Sequence, residues 1–179
     1  MSRAADVDRI DRILSEWKHI IGEDFDGYRN HVVRMAAFCL MLKECSFQEQ
    51  RKIEIAACFH DIGIWTDNTL DYLVPSLPPA GNYLRENGLD EWSEEIQLMI
   101  LHHHQIRRIE GSGLQLVELF RKGDLVDVSL GRVRFGLGKA QVRAVRNTFP
   151  NAGFHKMLLK LGIRWFVRHP LNPAPMMKW

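Results

Sequence analysis

His60 and Asp61 stand side by side at the end of a run, Ile53 to Phe59, that is apolar except for Glu54. Polar groups buried without partners cost free energy, so an imidazole beside a carboxylate at the end of an apolar helix calls for an explanation. One explanation is a metal ion, because neutral His nitrogen and carboxylate oxygen are ordinary ligands of first-row metals. The other is a helix C-terminus in which both groups are hydrogen-bonded, closed by Gly63 in the left-handed conformation. His31 lies 29 residues upstream, in Tyr28-Arg29-Asn30-His31-Val32-Val33-Arg34-Met35. Asp124 lies 63 residues downstream of Asp61, in Phe120-Arg121-Lys122-Gly123-Asp124-Leu125-Val126-Asp127. Each of these residues falls on its own predicted helix or helix start.

The ordered set His, His-Asp, Asp resembles the HD-domain superfamily of metal-dependent phosphohydrolases. The local match runs through Ala56-Ala57-Cys58-Phe59-His60-Asp61-Ile62-Gly63 and Lys122-Gly123-Asp124-Leu125-Val126-Asp127, and the resemblance covers about residues 25–130. It implies that His31, His60, Asp61 and Asp124 are metal ligands, and that the substrate is a nucleotide or another small phosphate ester. The pair is followed by Ile62-Gly63-Ile64-Trp65, without the Glu that the nucleotidase-like branch carries three or four residues on. No Gly-Tyr-Pro motif is present, which argues against cyclic dinucleotide cleavage, and 179 residues do not fit the long guanosine-polyphosphate hydrolases.

A mixed nitrogen and oxygen site with open positions suits a catalytic metal. Ligand softness admits Mn, Fe, Co, Ni or Zn alike. In a phosphohydrolase the metal lowers the pKa of a bound water, and Asp61 bridges to that nucleophile. Arg107 and Arg108, whose guanidinium groups bind phosphate in a bidentate way, or Lys139, are the cations expected to neutralise charge on phosphorus. Trp65, Asp67 and Tyr72 are candidates for the substrate side, and Asp127, one turn beyond Asp124, is a candidate for orienting a ligand or a water. Some HD-type proteins resemble di-iron oxygenases, which need two further histidines between the His-Asp pair and the last Asp. The only supply is His102-His103-His104 at a helix end. Side chains there step by about 100° per residue, so His102 or His103 is expected to face the site.

The rest of the chain has to position these groups. It reads as one all-α domain, 1–179, a bundle of seven to nine helices, with a metal-binding core at about 25–130 and a basic helical extension at about 131–179. Helices are expected at Asp6–Ile21, Tyr28–Glu44, from a Ser46/Glu49 capping box to the His-Asp pair, at Ala80–Asn87, Trp92–Gln105, Leu114–Arg121 with Asp124 starting or continuing the next segment, Lys139–Phe149 and Phe154–Val167. Prolines 75, 78 and 79 argue against a long helix over 64–80, and an extended tail is expected from Pro170 to Trp179. Residues 131–138 are glycine-rich and basic but lack the Lys-Ser/Thr ending of a phosphate loop.

Charge is divided unevenly. Ten of the 24 basic residues and none of the 22 acidic ones lie in 129–179. That leaves a third, non-enzymatic reading, in which the basic region contacts RNA, DNA or an anionic membrane surface, although no nucleic-acid motif is present. The helix at 154–168 could equally form a homodimer contact. Three cysteines without a CxxC spacing suggest reduced thiols and a cytoplasmic setting. No apolar run approaches the ~20 residues of a membrane span, and no signal core is evident at the start.

Overall fold

The computed structural model describes residues 4–177, and among them the chain is helical with no strand. Eight helices have nine residues or more: α1 (Val7–Ser15), α3 (Phe25–Leu42), α4 (Phe47–Phe59), α6 (Leu77–Glu86), α7 (Ser93–His102), α8 (Gln115–Val128), α9 (Lys139–Thr148) and α10 (Phe154–Arg168). Two four-residue turns, α2 (Lys18–Ile21) and α5 (Gly63–Thr66), lie between them. The all-α expectation and the count of seven to nine both hold. No described helix is long and apolar enough to cross a membrane.

The central element is α3. Twelve of its 18 residues are buried, from Gly27 to Leu40. It packs against α8, α4 and α1, with α9 and α10 at its ends. Its closest approach is to α8. A Cβ placed on Gly123 would lie 2.8 Å from the Met35 carbonyl and 3.2 Å from the Cys39 nitrogen. Only a glycine lets the two backbones come this near, and that nearness brings His31 on α3 beside Asp124 on α8.

Sequence signals set the start of α4. Ser46 Oγ accepts from the Glu49 N–H (3.1 Å), and the Glu49 carboxylate accepts from the Ser46 N–H (2.7 Å). Glu54, the one charge in the apolar run, is fully buried but well partnered. It accepts from the Asp6 N–H (2.8 Å), from Gln50 Nε2 (2.8 Å) and from the Arg9 guanidinium. The capping and packing of α1 are therefore tied to the helix that delivers the His-Asp pair.

Several expected boundaries shift. Asp6–Ile21 divides into α1 and α2, with Trp17 at the join. No long helix forms over 64–80, as expected, but α6 starts at Leu77 rather than Ala80, with Pro78 and Pro79 in its first turn, because a proline there gives up an N–H that has no helical partner anyway. Asp124 lies inside α8, which runs unbroken from Gln115 to Val128. Gly63 is not a left-handed cap but the first residue of α5. It has to be glycine for a different reason: a Cβ there would sit 2.5 Å from the Tyr72 carbonyl. Its N–H donates to Ser76 Oγ (3.0 Å), which holds the 67–76 loop, and with it Tyr72, over the site. The tail from Pro170 bends back, with Trp165 Nε1 donating to the Asn172 carbonyl (2.8 Å). Lys178 and Trp179, the end of the expected extended tail, lie outside the described residues.

Candidate metal centre

Three segments bring the four candidate ligands together. His31 comes from α3, His60 and Asp61 from the turn after α4, and Asp124 from α8. All four are buried, none exposed by more than 3%. His31 Nε2 and His60 Nε2 lie 3.1 Å apart. Asp61 Oδ2 is 3.2 Å from His60 Nε2 and 3.9 Å from His31 Nε2, and Asp124 Oδ1 is 3.4 Å from His31 Nε2.

The other ring nitrogens determine what these atoms can be. His31 Nδ1 is 2.8 Å from Asp127 Oδ2, and a carboxylate can only accept, so His31 carries its proton on Nδ1. His60 Nδ1 faces the Ala57 carbonyl at 2.7 Å, which places its proton on Nδ1 as well. Each neutral ring then turns a bare Nε2 lone pair inward. Two lone pairs 3.1 Å apart repel each other, with an acceptor carboxylate beside them. A cation between them resolves the conflict, and a histidine held through its far nitrogen is the usual support of a metal ligand.

A second cluster adjoins the first. His103 and His104 converge with Asp61, and one donor atom from each of the three lies within 4.8 Å of the others. His103 repeats the pattern of His60. Its Nδ1 is 2.7 Å from the Ile100 carbonyl, and its Nε2 is 3.4 Å from Asp61 Oδ1. Both His103 Nε2 and Asp61 Oδ1 are buried with no hydrogen-bond partner among the described residues. His104 Nε2 sits 2.6 Å from the Tyr72 hydroxyl, leaving Nδ1 on the Asp124 side, 3.9 Å from Oδ2. Asp61 thus offers one oxygen to each cluster. The donor set fits a metal in either place, and the shared carboxylate fits a pair.

The electrostatics differ from one group to the next, with Asp61 held as an anion and His104 held neutral. Burial opposes ionisation of Asp61, but His60 and His103 outweigh it and hold its pKa well below the carboxylate range. Burial raises Asp124. His104 is pushed well below the usual histidine value by burial and by His103. Burial works to keep His60 neutral too, but Asp61 and Asp124 overcome it and raise its pKa, so a proton competes with a metal there. Tyr72 and Tyr28 are raised well above 10 by burial and by Asp61, so both phenols stay protonated.

Supporting groups fix the frame. Arg34, buried on α3, donates to both Asp127 oxygens (Nε 2.6 Å, Nη2 2.7 Å), and Nη1 reaches the Phe149 and Pro150 carbonyls (3.1 Å each). Phe154, the first residue of α10, stacks on His31 with ring centroids 4.2 Å apart. The Tyr28 hydroxyl donates to the Cys58 carbonyl (3.0 Å), and its ring stacks near His60. Asp127, expected to orient a ligand or a water, is hydrogen-bonded to His31 Nδ1.

The remaining expected residues fall elsewhere. His102 points away from the site, its Nδ1 3.1 Å from Gln105 Oε1, and His104 stands where His102 was a candidate. The reason is that α7 ends at His102. The next two residues lie on a turn, and both rings swing toward Asp61. Arg107 and Arg108 are exposed on the loop beyond, Arg108 beside Glu110. Lys139 is exposed at the start of α9. Trp65 packs on Tyr28 and donates to Asp24 (3.2 Å), and Asp67 is exposed next to Thr66. Of the three residues expected on the substrate side, only Tyr72 lines the site.

The centre opens into a cavity of about 440 Å³. One end is polar, formed by Asp61, Tyr72, His103, His104 and Asp124. The rest is largely apolar, walled by Leu70, Ile106, Leu125, Val128 and Leu158, with Pro173, Met176 and Met177 of the tail. Among the described residues its one Lys or Arg is Arg121, whose guanidinium is already bound to both Glu118 oxygens (2.7 and 2.9 Å). No protein-family model, curated protein or solved structure matches the chain.

Proposed function

We infer that this chain is an HD-type metalloenzyme, with two metal positions sharing Asp61, that oxidises a substrate with an apolar body using dioxygen. The observation that carries the reading is the second cluster: His103 and His104 meet Asp61 beside the His31/His60/Asp61 group, with Asp124 Oδ1 3.4 Å from His31 Nε2. His31, His60, Asp61 and Asp124 would hold one metal, and Asp61, His103 and His104 the other. When bound, the metals would supply sites that activate dioxygen or water. The protein's own residues fix the ligand tautomers through Asp127, Ala57 and Ile100, exclude bulk water, and keep the Tyr72 proton beside His104. The apolar cavity supports the oxygenase chemistry, because among the described residues a phosphate would meet no unpaired Lys or Arg side chain there to balance its charge beyond the metals themselves.

Phosphate ester hydrolysis is the second reading, favoured by the four-ligand set that resembles the phosphohydrolases. One experiment separates the two. Protein loaded with Fe(II) under argon is mixed with medium-chain alcohols, aldehydes and carboxylic acids plus ascorbate, and then exposed to oxygen. Protein loaded with Mn(II) is given p-nitrophenyl phosphate and nucleotides. Substrate-dependent oxygen uptake, absent in His103→Ala, is expected. Phosphate release that survives His103→Ala, without oxygen uptake, would replace the oxygenase reading with the hydrolytic one.

A further inference from the structure

Helix α10 carries two stripes that the metal centre does not use. Leu159, Ile163, and the pair Phe166 and Val167 three and four residues beyond Ile163, share one face and are 54% to 75% exposed. Leu171, which follows just after the helix, is 99% exposed. Scattered exposed apolar residues need no explanation, but a contiguous set on one helix does. Beside it run Lys156, Lys160, Arg164 and Arg168 at four-residue spacing, all exposed and in no ion pair among the described residues. The first three border a hollow of about 430 Å³ in which Glu23 and Asp24 are the acidic residues. The chain has no acidic residue after Asp127.

We propose that this face of α10, extended by Leu171, docks onto the surface of an anionic lipid bilayer, with the apolar stripe entering the headgroup boundary and the cationic stripe meeting lipid phosphates. The charge pattern selects this occupant. An amphipathic helix with Lys and Arg beside a large apolar face is the form that lies in a membrane interface. A nucleic acid would use the cations but leave Leu159, Ile163, Phe166 and Val167 in water. The location adds a second argument. Leu158 and Gly162, on the neighbouring side of the same helix, line the cavity of the metal centre, as do Met176 and Met177 of the tail. A docked α10 therefore places the apolar cavity next to the lipid phase. The docking itself does not depend on the metal reading.

The test is co-sedimentation of the full chain with vesicles of phosphatidylglycerol and phosphatidylcholine, against phosphatidylcholine alone, at about 0.1 M salt. Binding to the anionic vesicles, weaker on the neutral ones, is expected. Lys160→Gln with Arg164→Gln should lower the partition coefficient about 25-fold, since each cation at an anionic surface is worth about fivefold. Leu159→Ser, Ile163→Ser and Phe166→Ser together should abolish binding. These side chains are exposed, so a cooperative melt near that of the wild type verifies the fold. No sedimentation of wild type with anionic vesicles overturns the proposal, as does a triple variant that binds equally well. Self-association without vesicles, lost in the triple variant while wild type ignores lipid, would assign the face to a second copy of the chain instead.

Discussion

Replacing Asp127 with Asn keeps the shape of the side chain and removes its charge. In the native protein this fully buried carboxylate takes His31 Nδ1 at 2.8 Å and Arg34 at 2.6 and 2.7 Å, with Arg146 Nη1 at 3.6 Å. Burial opposes its ionisation, but His31 and Arg34 hold its pKa well below the carboxylate range. The amide would set an N–H₂ against a donor and leave Arg34, only 1% exposed, without a full counter-charge. Breaking a buried pair in this way costs about 3–5 kcal/mol. For a chain of this size each kcal/mol lowers Tm by roughly 2–4 °C, so the metal-free protein should melt roughly 6–20 °C lower. His31 is left with at most a neutral amide oxygen, shared with Arg34, in place of the carboxylate, which should weaken metal binding about 10- to 100-fold. Thermal unfolding of the metal-free protein and a metal titration read the two effects separately. The double variant Asp127→Asn, Arg34→Met should recover much of the stability, because no buried charge is left unpaired, but not the metal affinity. Asp127→Asn within about 2 °C of wild type, with unchanged metal affinity, would refute the account of how His31 is oriented.

Three further predictions follow from the packing and the charges. Gly123→Ala places a methyl against the Met35 carbonyl, which belongs to a helix backbone and cannot move aside alone; a loss of about 1–3 kcal/mol in chemical denaturation is expected, with reduced metal binding because α3 and α8 separate. Glu118, depressed by Arg121 and the Ile109 N–H against the effect of burial, has a folded pKa below its unfolded value. Its stabilisation is therefore complete above about pH 5 and lost as pH falls through about 4 and below; Glu118→Gln should lower Tm at pH 7 and show a shallower acid decline than wild type. Gly162 lines the cavity and an added Cβ there meets nothing within 4 Å, so Gly162→Phe should fold normally, retain its metal, and lose binding of a fluorescent aliphatic probe.

Much of the site can be read from the sequence because its chemistry is unusual for an apolar setting. His60 and Asp61 end a run too apolar to accept them without partners, and His31 and Asp124 have the residue types and the order to be those partners. Asp127 could be placed from its spacing, one turn beyond Asp124. The second cluster was harder to read. Which of His102, His103 and His104 faces inward depends on the residue at which α7 stops, and no Gly or Pro marks that point; the Gln105 N–H bonds to the His102 carbonyl (2.9 Å) and turns the chain. Arg107 and Arg108 are near the site in sequence but not in space, for the same reason. The buried Arg34 gave no signal of its own, since an arginine on an apolar helix is identified as a partner only once Asp127 is seen across from it. The Pro78-Pro79 pair shows a local rule whose meaning depends on position: inside a helix it is a breaker, at the first turn a start.

The central claim is that Asp61 is shared by two metal positions. The most direct test is metal content per chain after loading with Fe(II) or Mn(II) and gel filtration, for wild type, His103→Ala and Asp61→Ala. The account predicts two metals in wild type, one in His103→Ala, and a loss from both positions in Asp61→Ala, each variant still showing a cooperative melt. A single metal in wild type that His103→Ala leaves unchanged, or none after loading, would contradict it.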